Sequence, residues 1–189
     1  TLSMTTYTLN VSGTYSGTGG LSFTSGNFNI AGSNTNSGAF TCGTGTVDYT
    51  GVGTQTVKGT TYYNLTISQI GTSAIGAATV VNNNLSITGG TLATGIYQIT
   101  GNVTGALTLA TGATLNIGGT LVSSPNFATA FTSISLDASS IVTYSSSGAQ
   151  TIKATEYGTL NISGARTTAS VTLESGTICL LYTSPSPRD

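Results

Sequence analysis

Few side chains in this sequence could carry acid–base, nucleophilic or metal chemistry. Histidine is absent, and only 5% of the residues are charged. Cleavage of polysaccharides uses two or three clustered carboxylates, or carboxylates beside Lys or Arg, to move protons and stabilise charge. Up to residue 178 the acids are Asp48, Asp137, Glu156 and Glu174, and the bases are Lys58, Lys153 and Arg166. No two of the acids are close in sequence.

These groups predict no catalytic residues, no cofactor and no metal site. Ca²⁺ requires several oxygen ligands with carboxylates among them, and the dispersed acids do not supply such a set. The chain is therefore predicted not to be an enzyme. A polysaccharide-cleaving enzyme stays as the last alternative, and two carboxylates meeting in one groove would identify it.

The chain is organised around one stretch that occurs twice. VDYTGVGTQTVKGTTYYNLTI spans Val47 to Ile67, and VTYSSSGAQTIKATEYGTLNI spans Val142 to Ile162. The two copies align without a gap at a separation of 95 residues, the difference between positions 49 and 144. A fixed separation held over several short strand-like pieces is typical of repeat architectures. LSFTSG-NFNI (Leu21 to Ile30) and LTLATGATLNI (Leu107 to Ile117) form a second, more diverged pair.

Short triplets of the form apolar-x-apolar recur along the chain and predict strands. Period-two alternation places the two apolar side chains on one face, and turns rich in Gly, Thr, Ser and Asn separate the triplets about every 8–12 residues. No stretch sustains helical spacing, so essentially no helix is expected. Examples are Leu21-Ser-Phe23, Leu65-Thr-Ile67, Leu85-Ser-Ile87, Leu115-Asn-Ile117 and Leu160-Asn-Ile162.

Two all-β architectures fit evenly spaced short strands: a parallel β-solenoid and tandem antiparallel β-sandwiches. A sandwich needs a core about 10 Å thick, filled from two inner faces. Most strands here offer only two apolar residues of modest size, and 26 of 189 residues are glycine. We therefore predict a β-solenoid over residues 1–178, with Leu, Ile and Val in interior columns and Asn and Thr in ladders along the axis. Ser123 to Thr132 is predicted to be a loop leaving the repeat.

The repeat resembles those of very long bacterial cell-surface proteins, commonest in Bacteroidota-like genomes. The pattern of that family is approximately G-T-V-x-Y/F-x-G-x-x-Q-T-V/I, then Y-x-N-L-x-I, then V-x-x-x-L-x-I-x-x-G-x-L. The chain matches it at Thr46, Val47, Tyr49, Gly51, Gln55, Thr56, Val57, Tyr63, Asn64, Leu65, Ile67, Leu85, Ile87, Gly90 and Leu92. The second copy has Thr159 in place of the Asn. The resemblance implies a right-handed parallel β-helix in an exported, adhesin-like protein, and it implies no particular ligand.

Residues 179–189 break the composition of the rest of the chain. CLLYTSPSPRD holds two of the three prolines and resembles the translation of a transposase-type sequencing-library adapter. We interpret it as a non-native tail, and residues 1–178 as a fragment of a longer array whose open ends favour self-association. Without Cys179, Cys42 has no partner for a disulfide, and its role stays open.

The charge pattern and the outward residues restrict the partners. A net charge of −1 gives no electrostatic case for nucleic acid, and no apolar run approaches the ~20 residues of a membrane helix. We interpret Lys58 and Lys153 as solvated charges at coil edges. The aligned pairs Tyr49/Tyr144 and Tyr62/Tyr157 either cap a thin core or form a column that binds sugar rings.

The predicted function is that of a structural stalk or adhesin-like segment at the bacterial cell surface or outside the cell, and no export signal is expected within this fragment. Its expected partners are the neighbouring repeats. Glycan binding and ice binding are the alternatives. Ice binding would require one coil face with Thr at both outward positions in successive coils.

Overall fold

The computed structural model describes residues 1–118, 126–166 and 170–180. These residues form 23 strands and no helix. In chain order the strands are β1 (Leu2–Met4), β2 (Thr8–Val11), β3 (Leu21–Phe23), β4 (Asn27–Ile30), β5 (Phe40–Thr41), β6 (Thr46–Tyr49), β7 (Val52–Val57), β8 (Thr61–Tyr62), β9 (Asn64–Ile67), β10 (Ile70–Ile75), β11 (Thr79–Val81), β12 (Leu85–Ile87), β13 (Thr91–Ala93), β14 (Ile99–Thr100), β15 (Ala106–Leu109), β16 (Thr114–Ile117), β17 (Ser133–Leu136), β18 (Ile141–Tyr144), β19 (Gln150–Ile152), β20 (Glu156–Tyr157), β21 (Thr159–Ile162), β22 (Val171–Leu173) and β23 (Cys179–Leu180).

The chain winds through three faces in the same order, and the described residues make about nine coils. The first face contains the ladders β1-β3-β5, β8-β11-β14 and β19-β22. The second face contains a seven-stranded ladder from β2 to β17 and the pair β20-β23, and the third face is the six-stranded ladder from β7 to β21. Tyr15 pairs with Asn34 in parallel and continues the third face into the first two coils.

Every pairing between two of these strands is parallel, which confirms the β-solenoid and excludes the tandem antiparallel sandwich. The apolar-x-apolar triplets place both apolar side chains inside, as in β12, where Leu85 and Ile87 are buried and Ser86 is half-buried. Full burial of one such side chain stabilises the fold by about 1.5–3 kcal/mol. In-register stacking extends the core along the axis in columns such as Leu9, Phe28, Val47, Leu65, Leu85, Leu107 and Ile134.

Polar side chains also stack along the axis, as the sequence predicted. Asn29 Nδ2 donates to Asn10 Oδ1 at 2.8 Å, one coil away. Asn83 Nδ2 donates to Asn64 Oδ1 at 2.9 Å, and the hydroxyls of Thr151 and Thr172 lie 3.1 Å apart. The outward faces are therefore linked from coil to coil by uncharged hydrogen bonds.

The two copies of the repeat lie on different faces of the solenoid. Val47 is on β6 of the second face, whereas Val142 is on β18 of the third face. Successive second-face strands are separated by 18 residues from Val47 to Leu65 and by 27 from Leu107 to Ile134. Because four coils lead from Val47 to Ile134, a separation of 95 residues equals four coils and one further face. The diverged pair behaves in the same way, since β3 and β4 correspond to β15 and β16, each one face further on.

The sequence predicted that two segments, residues 123–132 and 179–189, do not belong to the regular repeat. The prediction that Ser123 to Thr132 leaves the repeat is wrong for its described part, because Phe127, Ala128 and Phe131 are buried in the core and Thr129 pairs with Thr100. Positions 123–125 lie outside the described residues. In the predicted tail, Cys179 and Leu180 form β23, and 181–189 are likewise outside the described residues.

Candidate functional site

The structure gives Asp48, Asp137 and Glu174 separate partners. Ser68 Oγ donates to Asp48 Oδ1 at 2.8 Å, and burial raises the pKa of Asp48 while the bond from Ser68 lowers it. The Ser139 N–H donates to Asp137 Oδ1 at 2.7 Å. Glu174 pairs with Lys153 Nζ at 3.1 Å. Within the described residues no three His, Cys, Asp or Glu side chains are grouped to hold a metal ion.

A cluster of hydrogen-bonded polar groups is built around two buried tyrosines, and we call it the tyrosine clasp. In the first copy it consists of Tyr49, Lys58 and Tyr62. The Lys58 N–H donates to Tyr49 Oη at 3.0 Å, and Tyr62 Oη donates to the Lys58 carbonyl at 2.7 Å. The two hydroxyls lie 3.3 Å apart. Since the Tyr62 proton points to the Lys58 carbonyl, Tyr49 donates to Tyr62 and every hydroxyl group is satisfied.

The second clasp repeats this geometry one face further round the solenoid. The Lys153 N–H donates to Tyr144 Oη at 3.0 Å, Tyr157 Oη donates to the Lys153 carbonyl at 2.8 Å, and the hydroxyls lie 3.4 Å apart. Because one cluster forms on two different pairs of faces, its geometry depends on local sequence rather than on the face. The clasp therefore acts as a module that ties three consecutive strands of the solenoid together.

The clasp contradicts the sugar-binding interpretation of the tyrosines, because all four rings are fully buried. It agrees with the structural interpretation, since the rings belong to the core and their hydroxyls bind the backbone at Lys58 and Lys153. The copies also lie on different faces and do not stack on each other. The lysines are half-buried rather than freely solvated: Lys58 Nζ donates to the Asn36 carbonyl, and Lys153 Nζ binds Glu174.

Burial raises the pKa of each clasp tyrosine above the ordinary value of 10.0. The folded state therefore favours the neutral phenol, and this contribution to stability is complete below pH 10 and is lost as the pH rises through the raised values. We predict cooperative alkaline unfolding above pH 10, in which tyrosinate absorbance of the clasp appears together with loss of β-sheet circular dichroism. The double variant Tyr62→Phe/Tyr157→Phe should show a smaller dependence of stability on pH. Clasp ionisation in a chain that is still folded would contradict this.

The third face carries a column of threonines. Thr54, Thr72, Thr91 and Thr114 are in register over four successive coils. The neighbouring outward column holds Thr56, Ala74, Ala93 and Asn116. Only the first of these coils therefore has Thr at both outward positions, and the arrangement stated above for ice binding is not met on this face.

A cleft of about 370 Å³ opens on the first face where its ladder is interrupted. It lies between Thr129 and β19, and the Lys153–Glu174 ion pair forms part of its wall. The Ala154 N–H and Lys153 both lower the pKa of the Glu174 carboxyl, which keeps the ion pair charged. Ala130, also in the wall, has a φ of 64°, a left-handed conformation that is uncommon outside glycine.

Sequence reasoning missed this cleft because the contacts that form it are distant in sequence. Gln98 Nε2 donates to the carbonyls of Asn126 and Phe127 at 3.3 and 3.0 Å, and the Asn126 N–H donates to Gln98 Oε1 at 3.0 Å. This side chain holds the long seventh coil against the sixth. The available signal in the sequence is the irregular composition around Pro125, which predicts a departing loop instead of a packed coil.

Comparisons with known proteins do not assign the chain to a family. No family model, curated protein or solved structure matches this chain. No helix in the described part of the chain has the length and apolar character needed to cross a membrane. The geometry above is therefore the basis for the functional proposal.

Proposed function

We propose that this chain is a structural segment of a stalk or adhesin-like protein on the bacterial surface and that it does not catalyse a reaction. The observation that supports the proposal is the parallel stacking of about nine coils, in which each coil pairs with the next on at least one face. Each coil buries its inward columns and pairs its backbone with the next coil, so the array holds its shape through nearest-neighbour contacts. At the ~4.8 Å spacing of paired strands, such an array extends roughly 40 Å.

The surface chemistry fits a passive spacer. The outward positions are filled mainly by Ser, Thr and Asn, and the chain has a net charge of −1. Because the chain carries few charges, stacked coils repel one another only weakly, while the hydroxyl and amide groups keep the faces hydrated. Extension then requires neither a cofactor nor a metal ion.

The proposal is tested by sequencing the complete reading frame, by locating the protein on cells and by assaying it for polysaccharide cleavage. We expect the complete frame in the source DNA to encode an export signal and further copies of the Tyr-x5-Gln-x2-Lys-x3-Tyr unit. An antibody against this segment should label intact cells, and polysaccharides incubated with the purified protein should release no new reducing ends. Labelling only after permeabilisation would contradict the surface assignment, and new reducing ends would contradict the non-catalytic one.

Glycan binding is the second candidate, and the first-face cleft favours it. The cleft offers carboxylate, ammonium, amide and hydroxyl groups beside buried Phe127 and Phe131, a combination typical of small-ligand pockets. On a glycan array, binding by the wild type should be lost in Glu174→Gln and retained in Thr54→Ser, which lies on another face. Equal binding by both variants would place any glycan site elsewhere.

A further inference from the structure

Three polar side chains are buried at one corner between the second and third faces, and we call this group the amide corner. It consists of Gln55, Gln69 and Ser73, with exposed fractions of 1%, 0% and 0%. Gln55 Oε1, both polar side-chain atoms of Gln69 and the Ser73 hydroxyl have no hydrogen-bond partner within the protein. Leaving a buried polar group unpaired costs about 1–3 kcal/mol, so this concentration of unpaired atoms requires an explanation.

The backbone places the three side chains together. Gln55 and Ser73 are register partners on β7 and β10, and both point inward. Gln69 precedes β10, and the Ile70 N–H donates to the Gly51 carbonyl at 3.2 Å. A Cβ at Gly51 would lie 2.9 Å from Gln55 Nε2. By register, Gln69 lies next to Gly51 in the adjacent coil, and Gly51 is the residue against which the Gln55 amide packs.

The second copy of the repeat shows what the corresponding glutamine oxygen binds. Gln150 Oε1 accepts from Arg166 Nη2 at 2.6 Å and from the Ser146 N–H at 3.2 Å. The residue 95 positions before Arg166 is Gly71, which has no side chain to take the place of the guanidinium. The first copy therefore retains the acceptor and lacks its charged donor.

We propose that ordered water molecules occupy the amide corner and take the place of that guanidinium. The unpaired atoms include two carbonyl oxygens, an amide nitrogen and a hydroxyl, so the occupant must both donate and accept hydrogen bonds. Water does both and typically makes about three hydrogen bonds when buried. A metal cation would pair with the oxygens and leave the Gln69 amide nitrogen unpaired.

Substitution of Gln69 distinguishes a hydrated corner from a dry one. If water links Gln69 to its neighbours, Gln69→Leu removes a partner of that water and lowers the urea midpoint of unfolding. In a dry corner the same change removes two unpaired atoms, and the midpoint stays the same or rises, which would overturn the proposal. Gln55→Leu is the control for sensitivity, because it breaks the bond from Gln55 Nε2 to the Gly32 carbonyl at 2.8 Å and should lower the midpoint in either case.

A high-resolution crystal structure of the wild-type chain provides the second measurement and does not depend on how a variant folds. We expect solvent density within hydrogen-bond distance of Gln55 Oε1, Gln69 and Ser73 Oγ. Direct bonds between the two glutamine amides, with no density between them, would overturn the proposal.

Discussion

Replacing Tyr62 with alanine is expected to lower the free energy of unfolding by about 3–5 kcal/mol, the range for removing a buried aromatic ring. The ring is fully buried and lies edge-on to Phe40 with centroids 6.0 Å apart. The substitution also removes the acceptor of the Tyr49 hydroxyl and the donor to the Lys58 carbonyl. Loss of packing and loss of two buried hydrogen bonds therefore act in the same direction.

Urea denaturation followed by circular dichroism measures this effect. Tyr62→Phe keeps most of the packing and should lose only about 1–3 kcal/mol, because it leaves the Lys58 carbonyl and the Tyr49 hydroxyl without their partner. Tyr7→Ala is the matched control, since Tyr7 is 68% exposed, and it should stay within about 0.5 kcal/mol of the wild type. Equal losses for Tyr62→Ala and Tyr7→Ala would contradict the buried clasp.

Replacing Gly105 with alanine should lower the free energy of unfolding by about 3 kcal/mol or more, at the upper end for overpacking. Gly105 is buried just before β15, and a Cβ there would lie 1.8 Å from the carbonyl oxygen of Asn83 in the preceding coil. A backbone atom cannot move aside as a flexible side chain does. The sixth coil would have to separate from the fifth, with weakening of the β12–β15 ladder.

Gly13→Ala is the control for this prediction. No heavy atom lies within 4 Å of a Cβ at Gly13, and its φ is not in the left-handed region. This variant should equal the wild type or be more stable by up to about 1 kcal/mol, since alanine restricts the unfolded chain. The unfolding midpoints of both variants decide the matter, and a Gly105→Ala protein as stable as the wild type would contradict the close coil contact.

The strands and the class of fold could be predicted from the sequence because both follow from local alternation. Leu65-Thr-Ile67 and Leu85-Ser-Ile87 each supply one inward pair, and such small pairs fill a narrow solenoid better than the thick core of a sandwich. The register that stacks Leu65 on Leu85 follows the same pattern. A one-residue slip would turn both apolar side chains outward.

The positions of the repeat copies around the solenoid could not be predicted, because a sequence separation does not state how many residues each coil uses. The coil between Leu107 and Ile134 is longer than the one between Val47 and Leu65, and this difference moves the second copy to another face. The clasp was missed for a related reason. Alternation with Val47 points the Tyr49 ring inward, but its hydroxyl partner, Tyr62, lies on another face after an intervening strand.

The ion pair and the amide corner also depend on contacts between coils. Lys153 and Glu174 are 21 residues apart in sequence and meet only because β19 stacks on β22. Gln69 occupies a position that has glycine in the preceding coil, so no repeated motif marks it. Contacts that occur at only one coil can be found only once the register between adjacent coils is known.

Engineered disulfides test the central claim, a parallel solenoid in which the second copy has moved by one face. Asn116 and Thr143 are register partners in adjacent coils, and the ~4.8 Å spacing of paired strands falls within the Cα separation of disulfides. In a Cys179→Ser background, mild oxidation followed by mass spectrometry should show a cross-link in Asn116→Cys/Thr143→Cys. It should show none in Thr108→Cys/Thr143→Cys, since Thr108 belongs to the second face. A cross-link in the second variant and not in the first would contradict the account.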